Sequence, residues 1–393
     1  MSMRVKSAES TAKSVVYFPN LNGVRFIAAA SVLIHHVEQV KEVFQISNIY
    51  GNHLIKNMGK LGVDLFFVLS GFLITYLLLH EKKQNTHVNT RDFYIRRVLR
   101  IWPLYFLIVF LAFFVFPNVP FFVPANNEHF YFDANFYRRL SLFLIVLPNI
   151  GIILYGSPYL SAQTWSIGVE EQFYYLWPWI IDRFTPKRIL TTVVLFSLAT
   201  MAVFYVYLRW VGHSNLQNNL PEITRFFFSQ FRILTLLTGG FAAALVFYQK
   251  KNVLHFLFRR DVQVLVYALL VFLLASNFHI TGLHLEFYGL FFAFFILNVS
   301  SNSRSIINLE YGWVSYLGKI SYGLYIYQTA MIVFSIHLIQ WVFGNNLPIA
   351  TFNCLLYALS FGTTVLVSAV SFAYFEKPFL NFKKRFSQHS TTG

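Results

Sequence analysis

Long apolar stretches fill this chain, broken by short polar segments in which basic residues gather. A helix crosses a bilayer with roughly 18 or more consecutive, mostly apolar residues. FRILTLLTGGFAAALVFYQ is one such run. Barrel strands would alternate with a period of two, and this run does not. The pattern predicts an all-α fold, a polytopic membrane helix bundle of about ten transmembrane helices. The expected spans are 20–39, 60–80, 101–116, 166–184, 189–210, 229–249, 262–278, 283–300, 322–343 and 350–375. Segment 140–155 is shorter and is interrupted by Pro148 and Gly151, so it reads as a re-entrant or interfacial piece.

Segments 1–18, 81–100, 183–188, 250–260, 301–320 and 376–393 together hold 22 Lys and Arg, against six in 40–60, 117–139 and 211–228. Excess positive charge marks cytoplasmic loops. Both termini are therefore expected in the cytoplasm. The expected organisation is a cytoplasmic N-terminal segment 1–18, a membrane domain 19–380 and a basic cytoplasmic tail 381–393. A full crossing by 140–155 would invert every later loop and erase the asymmetry.

Composition narrows the classes further. Charged residues make up 12% of the chain and hydrophobic residues 56%, with mean hydropathy +0.54. A soluble domain carries about 25% charged residues, so a soluble enzyme, a disordered chain and a disulfide scaffold are excluded. The net charge of +15 sits at span ends and in short loops, with no nucleic-acid-reading motif. The expected partner is the lipid bilayer, and no nucleic acid is expected. Cys354 is the single cysteine, so no internal disulfide or multi-cysteine metal site is expected. Residues 1–18 are polar and basic, and no removable leader is expected.

Charged residues inside spans cost about 2.5–3.5 kcal/mol at the helix centre on insertion scales, and are functional candidates by default. The first span holds Arg25, His35 and His36. At 100° per residue Arg25 and His36 share one stripe, about 16 Å apart along the axis, while His35 points away from it. They read as two stations of one pathway. Arg25 snorkelling to headgroups and His36 bonding a neighbouring carbonyl are the plain alternatives. In the second span Asp64 either orients a histidine or sits as a carboxylate at a helix start, favoured by the dipole. Gly59, Gly62 and Gly71 allow close helix approach.

RDFYIRRVLRIWPLYF brings Arg96, Arg97 and Arg100 together if it is helical. Clustered guanidiniums suit phosphate, or else anionic lipid. TWSIGVEEQFYYLWP sets Glu170 and Glu171 beside an aromatic wall, where one serves as general base or as partner of a histidine. Trp165 at its start joins the arginines as a substrate-binding candidate. There is no G-x-S-x-G elbow and no HExxH, and the histidines have no zinc spacing, so no metal is expected. His279 and His284 fall in an expected outer loop and are weak candidates.

The motifs LNGVRF with Arg25 and His36, GVDLFFVLSGFLIT, FYIRRVLRIWPLYF, TWSIGVEEQFYYLWP, GKISYGLYIYQ and a terminal EKPF occur in this order. Over about residues 19–380 the chain resembles the acyltransferase-3 family, the integral-membrane acyltransferases that O-acetylate bacterial surface glycans and some macrolides. The resemblance implies transfer of an acyl group, usually acetyl from acetyl-CoA, to a hydroxyl, in the bacterial inner membrane. It implies a catalytic role for His36 and a donor-linked role for Arg25, Arg97 and Arg100, and maps the family's Glu-Glu-Gln-Phe-Tyr segment onto Glu170–Tyr174. Many relatives carry a further SGNH-type domain; this chain is expected to lack one, which would leave acceptor transfer to the membrane domain alone.

Joined, the two readings give a mechanism. Arg97 and Arg100, with Arg25 deeper, hold the phosphates of acyl-CoA, the donor substrate; no bound cofactor is expected. The pantetheine arm reaches His36, which is base or nucleophile, with Asp64 or Glu170 holding its tautomer. A carbohydrate or glycolipid acceptor arrives from the far side. The alternative from another class is a transporter or flippase for a glycan or lipid intermediate.

Overall fold

The computed structural model describes residues 16–123, 134–183, 232–280, 283–344 and 346–386, with single helical positions at 188, 191, 195, 202 and 206. Among the described residues every regular element is helical. The chain begins with α1 (Leu21–Val43), α2 (His53–Asn85) and α3 (Thr90–Phe110). Two short helices, α4 (Phe136–Leu144) and α5 (Pro148–Tyr155), precede α6 (Trp165–Arg183). Next come α7 (Ile233–Phe247), α8 (Lys251–Leu257), α9 (Arg260–Ala275) and α10 (His284–Ser301). The last four are α11 (Gly312–Lys319), α12 (Ser321–Phe343), α13 (Ile349–Ser371) and α14 (Lys377–Lys383). The expected span 189–210 lies outside the described residues apart from isolated positions.

Among the described residues five helices are long and apolar enough to cross a membrane: α2, α3 with its continuation to Asn118, α10, α12, and α13 with its continuation to Lys383. The pair α7–α8, bent by 114°, makes a sixth if it counts as one span. α1 has the length but falls short on composition, as does α6, because these two carry Arg25, His35, His36, Glu170 and Glu171. Segment 140–155 forms two helices of nine and eight residues, neither long enough to cross. Pro148 opens the second, where its missing N–H costs nothing. Segments 250–260 and 301–320, expected as loops, contain α8 and α11.

α2 outruns its expected span 60–80 at both ends. Asn52 caps its start, its side chain accepting from the backbone N–H groups of Leu54 and Ile55. The polar HEKKQN stretch continues the helix beyond the apolar run. α2 is also the hub of the bundle, packing on α1 along one face and on α7 along another. A Cβ on Gly71 would run into the Leu236 carbonyl, and one on Gly239 into the Val68 carbonyl. Only glycines permit that crossing. Gly59 and Gly62 do the same toward α1, against the His35 ring and the Ala28 carbonyl.

The start of α1 and the ends of α2, α6 and α13 gather at one end of the bundle with the start of α3. There Lys82 Nζ donates to the Ile181 and Asp182 carbonyls at 2.8 and 2.6 Å. Arg96 pairs with Glu81 at 2.9 Å and donates to the Phe386 carbonyl at 2.9 Å, fastening the tail to α3. We call this the arginine end, and the opposite end, with His35 and His36, the histidine end.

Candidate functional site

Asn20 sets the start of α1. Its backbone is left-handed, its Nδ2 donates to the Val299 carbonyl at 2.7 Å, and its Oδ1 accepts from the Leu309 N–H at 2.5 Å. Glu310 accepts from the Asn20 N–H and, at 2.8 Å, from the Tyr17 hydroxyl. Burial, then the bond and the negative charge of Glu310, push the Tyr17 hydroxyl up to about 12. This brace fixes the first turn, from which Arg25 reaches Asn22 Oδ1 at 2.7 Å.

Arg25 faces a cavity of about 130 Å³ between α1, α2, α3, α6 and α12. Arg97 and Arg100 of α3 enter it, with Ser70 of α2, Glu170 and Tyr174 of α6, and Tyr322 and Tyr325 of α12. A smaller cavity of about 60 Å³ lies beside Val16, Tyr17, Phe18 and Asn22 and shares the three arginines. The guanidiniums thus stand between two chambers. Arg97 lies over the Phe93 and Tyr174 rings at 5.5 and 5.9 Å, its Nε buried without a partner. Ser70 Oγ and the Tyr174 hydroxyl are hydrogen-bonded, and the Glu170 carboxylate interacts with both. Cationic groups and a carboxylate-bound pair of hydroxyls therefore meet in one partly apolar chamber. That set suits a polyanion joined to a reactive acyl group.

The other expected residues part from this cluster. Arg96 turns toward Glu81 and the tail. Glu171 lies one residue, hence 100°, round the helix from Glu170; it accepts from Trp102 Nε1 at 3.4 Å, and its Oε1 is unpartnered. The Trp165 ring packs edge-on to Phe67 at 5.9 Å and is not among the residues lining the cavity.

His36 does not line the cavity either. Ala29 and Val32, buried residues on the Arg25 stripe, lie between the two stations. Across the chamber floor Ser166 Oγ and the Tyr325 hydroxyl bond at 2.8 Å, and Tyr325 donates to the Gln163 carbonyl at 2.9 Å. Beyond this layer the Gln328 carboxamide lies against the His36 ring. Gln328 Nε2 donates to the Tyr325 carbonyl at 3.0 Å, while its Oε1 and His36 Nδ1 are both buried without a hydrogen-bond partner. His35 turns aside, as its angle predicts, and its Nδ1 meets the Ile55 carbonyl at 2.9 Å.

Asp64 and Glu170, expected beside a histidine, find other partners. Glu170 interacts with Ser70 and Tyr174, and no hydrogen bond joins either carboxylate to His36 among the described residues. Asp64, 1% exposed, faces Arg232 Nε at 3.7 Å, and Arg232 reaches Glu286 at 3.7 Å, so the group ties α2, α7 and α10. The reason is angular. Gly62 faces α1, and two residues later Asp64 points about 200° away. It shares its face with Gly71, which meets α7. His279 and His284 stack at 4.4 Å, and the described residues contain no cluster of three or more metal-ligand types. Sequence reasoning missed Ser70 and Tyr174 as a pair, Arg232 as a partner, and Gln328. A lone amide within the apolar run after GKIS was the available signal for Gln328.

Comparison with known proteins adds identity to geometry. A family model described as an acyltransferase domain matches residues 18–373. Peptidoglycan O-acetyltransferase OatA of Listeria monocytogenes is 30% identical over 208 residues, covering 50% of this chain and 30% of the relative. O-acetyltransferase OatA of Staphylococcus aureus is 26% identical over 380 residues, 92% of this chain and 57% of the relative. The chain thus spans about a third to somewhat over half of the length of these two relatives. No solved structure matches.

Proposed function

We propose, for a chain that belongs to the acyltransferase-3 family, that it moves an acetyl group from acetyl-CoA to a hydroxyl of a cell-envelope glycan. The observation that carries this reading is the convergence of Arg25, Arg97 and Arg100 on one cavity with Ser70, Glu170 and Tyr174. The donor enters at the arginine end, which is the cytoplasmic end of a protein of the bacterial inner membrane. Its diphosphate pairs with the guanidiniums, and its thioester arm extends toward the Ser166–Tyr325 floor. The acceptor approaches from the histidine end. Peptidoglycan is the acceptor class we favour, because the Listeria relative is named for it.

His36 then takes the acceptor proton as general base. The hydroxyl oxygen bonds to the acetyl carbon, the carbon–sulfur bond breaks, and the proton passes from the imidazole to the CoA thiolate. Gln328 takes the positioning role first given to Asp64 or Glu170. The layer of Ser166, Tyr325 and Gln163 separates the two substrates at rest, and its displacement by the incoming arm is a required step. The transporter reading gains nothing from the comparisons, where the matching family and relatives are acyltransferases.

The test is label transfer. Purified protein in lipid, given labelled acetyl-CoA and peptidoglycan fragments, should move label to the glycan. Arg97→Ala should weaken acetyl-CoA binding, and the remaining affinity should show a shallower salt dependence. Transfer from another acetyl donor with none from acetyl-CoA would overturn the donor assignment. Unchanged acetyl-CoA affinity in Arg97→Ala would reassign the cluster to lipid.

A further inference from the structure

At the arginine end the corner between α8 and α9 meets the segment that follows α10, and three buried amides join them. Gln263 Nε2 donates to the Phe258 carbonyl at 3.0 Å and to the Arg304 carbonyl at 3.4 Å, and its Oε1 accepts from the Ile306 N–H at 3.0 Å. Asn302 Nδ2 donates to the same Phe258 carbonyl at 3.1 Å and to Asn298 Oδ1 at 2.9 Å, and its Oδ1 accepts from the Arg304 N–H at 2.9 Å. Asn298 Nδ2 reaches the Leu257 carbonyl at 3.3 Å. Buried amides are costly unless they are bonded, so this mesh holds the two stretches in one register. The segment then runs on to Leu309 and Glu310, which brace the start of α1.

What the mesh presents is charge. His255, Arg259, Asp261, Arg260 and Arg304 line one open pocket of about 850 Å³, which shares no residue with the two cavities above. Asp261 takes Arg259 in a two-bonded pair at 3.0 and 2.6 Å. Arg260 and Arg304 are exposed, and among the described residues their guanidiniums have no partner. Two unpaired like charges on one pocket repel each other and favour an anion between them. Beyond Arg260 the helix turns apolar, and Val264, Leu265, Leu269 and Phe272 stand exposed along α9. We propose that the pocket holds the headgroup of an anionic membrane phospholipid, with its phosphodiester between Arg260 and Arg304 and its acyl chains along α9. Forked guanidiniums match phosphate oxygens, and basic pockets on the cytoplasmic side of membrane helices take such headgroups. The rigid mesh beneath the two arginines is what a loose basic flank would not need.

The experiment places the full chain in nanodiscs of phosphatidylcholine with a minor share of phosphatidylglycerol, and native mass spectrometry counts the lipids that stay bound. Wild type should retain phosphatidylglycerol in preference to phosphatidylcholine. The double variant Arg260→Gln, Arg304→Gln should lose that preference by on the order of tenfold. Arg183→Gln with Arg385→Gln removes the same charge from the same end but outside the pocket, and should keep it. Thermal midpoints in pure phosphatidylcholine should agree for all three, which shows that they are folded. Equal losses in the two double variants would reduce the effect to general surface attraction and overturn the inference, as would a wild type that does not distinguish the two lipids. Stabilisation by glycerophosphoglycerol, the headgroup without its chains, equal to that by the lipid would make the ligand a soluble phosphate and overturn it too. None of these measurements uses acetyl-CoA, so the acyl-transfer reading stands or falls separately.

Discussion

His36 and Arg25 are single residues whose side chains lie on one stripe of α1 but in different surroundings. Removing a general base costs on the order of 10²–10⁴-fold in turnover. His36→Ala should lose that much transfer, while His35→Ala, which gives up its bond to the Ile55 carbonyl and its packing against the Tyr50 and His36 rings, should retain most of it. Single-turnover assays decide it, and equal losses would remove the special place of His36. Gln328→Glu, which keeps an acceptor oxygen beside the ring, should retain more activity than Gln328→Leu. The stripe shared by Arg25 and His36 was legible because 100° steps along one helix need no tertiary information. That Gln328 lies near His36 was not legible. A helix's own periodicity says which way a side chain points, and nothing about which helix stands opposite.

At the scale of elements, the apolar runs gave most helices their place, since spanning length is set by the bilayer. Ends were less legible: α2 continues through HEKKQN because a helix does not stop where hydropathy falls. Faces were legible only in part. Gly62 and Gly71 announced two close approaches, and Asp64 follows from them only once the neighbours are known. The Asp64–Arg232–Glu286 group joins three helices where water is scarce. Removing one partner of a buried ion pair costs about 3–5 kcal/mol, because it leaves a charge uncompensated. Arg232→Met should therefore lower the thermal midpoint strongly, and Asp64→Asn in that background should recover part of the loss. A thermal-shift cycle checks this, and additive losses would mean that the two groups do not interact.

The whole molecule has two chemically different ends. One gathers arginines and the fastened tail, and the other holds the histidine pair. Basic loops predict that the arginine end faces the cytoplasm, and the family match over residues 18–373 makes the chain an acyltransferase. Its orientation can be read with cysteines. In a Cys354→Ser background, Asn85→Cys at the arginine end should react with a membrane-impermeant maleimide only after cells are opened. Asn48→Cys, at the histidine end, should react in intact cells. The reverse pattern would invert the topology.

The central claim is that donor and acceptor meet from opposite faces. Sealed proteoliposomes of uniform orientation, with labelled acetyl-CoA on one side and peptidoglycan fragments on the other, measure it directly. Transfer should occur when acetyl-CoA bathes the arginine face and the glycan the histidine face, and should vanish in His36→Ala. Transfer that needs both substrates on a single face, or that proceeds undiminished in His36→Ala, would contradict the account.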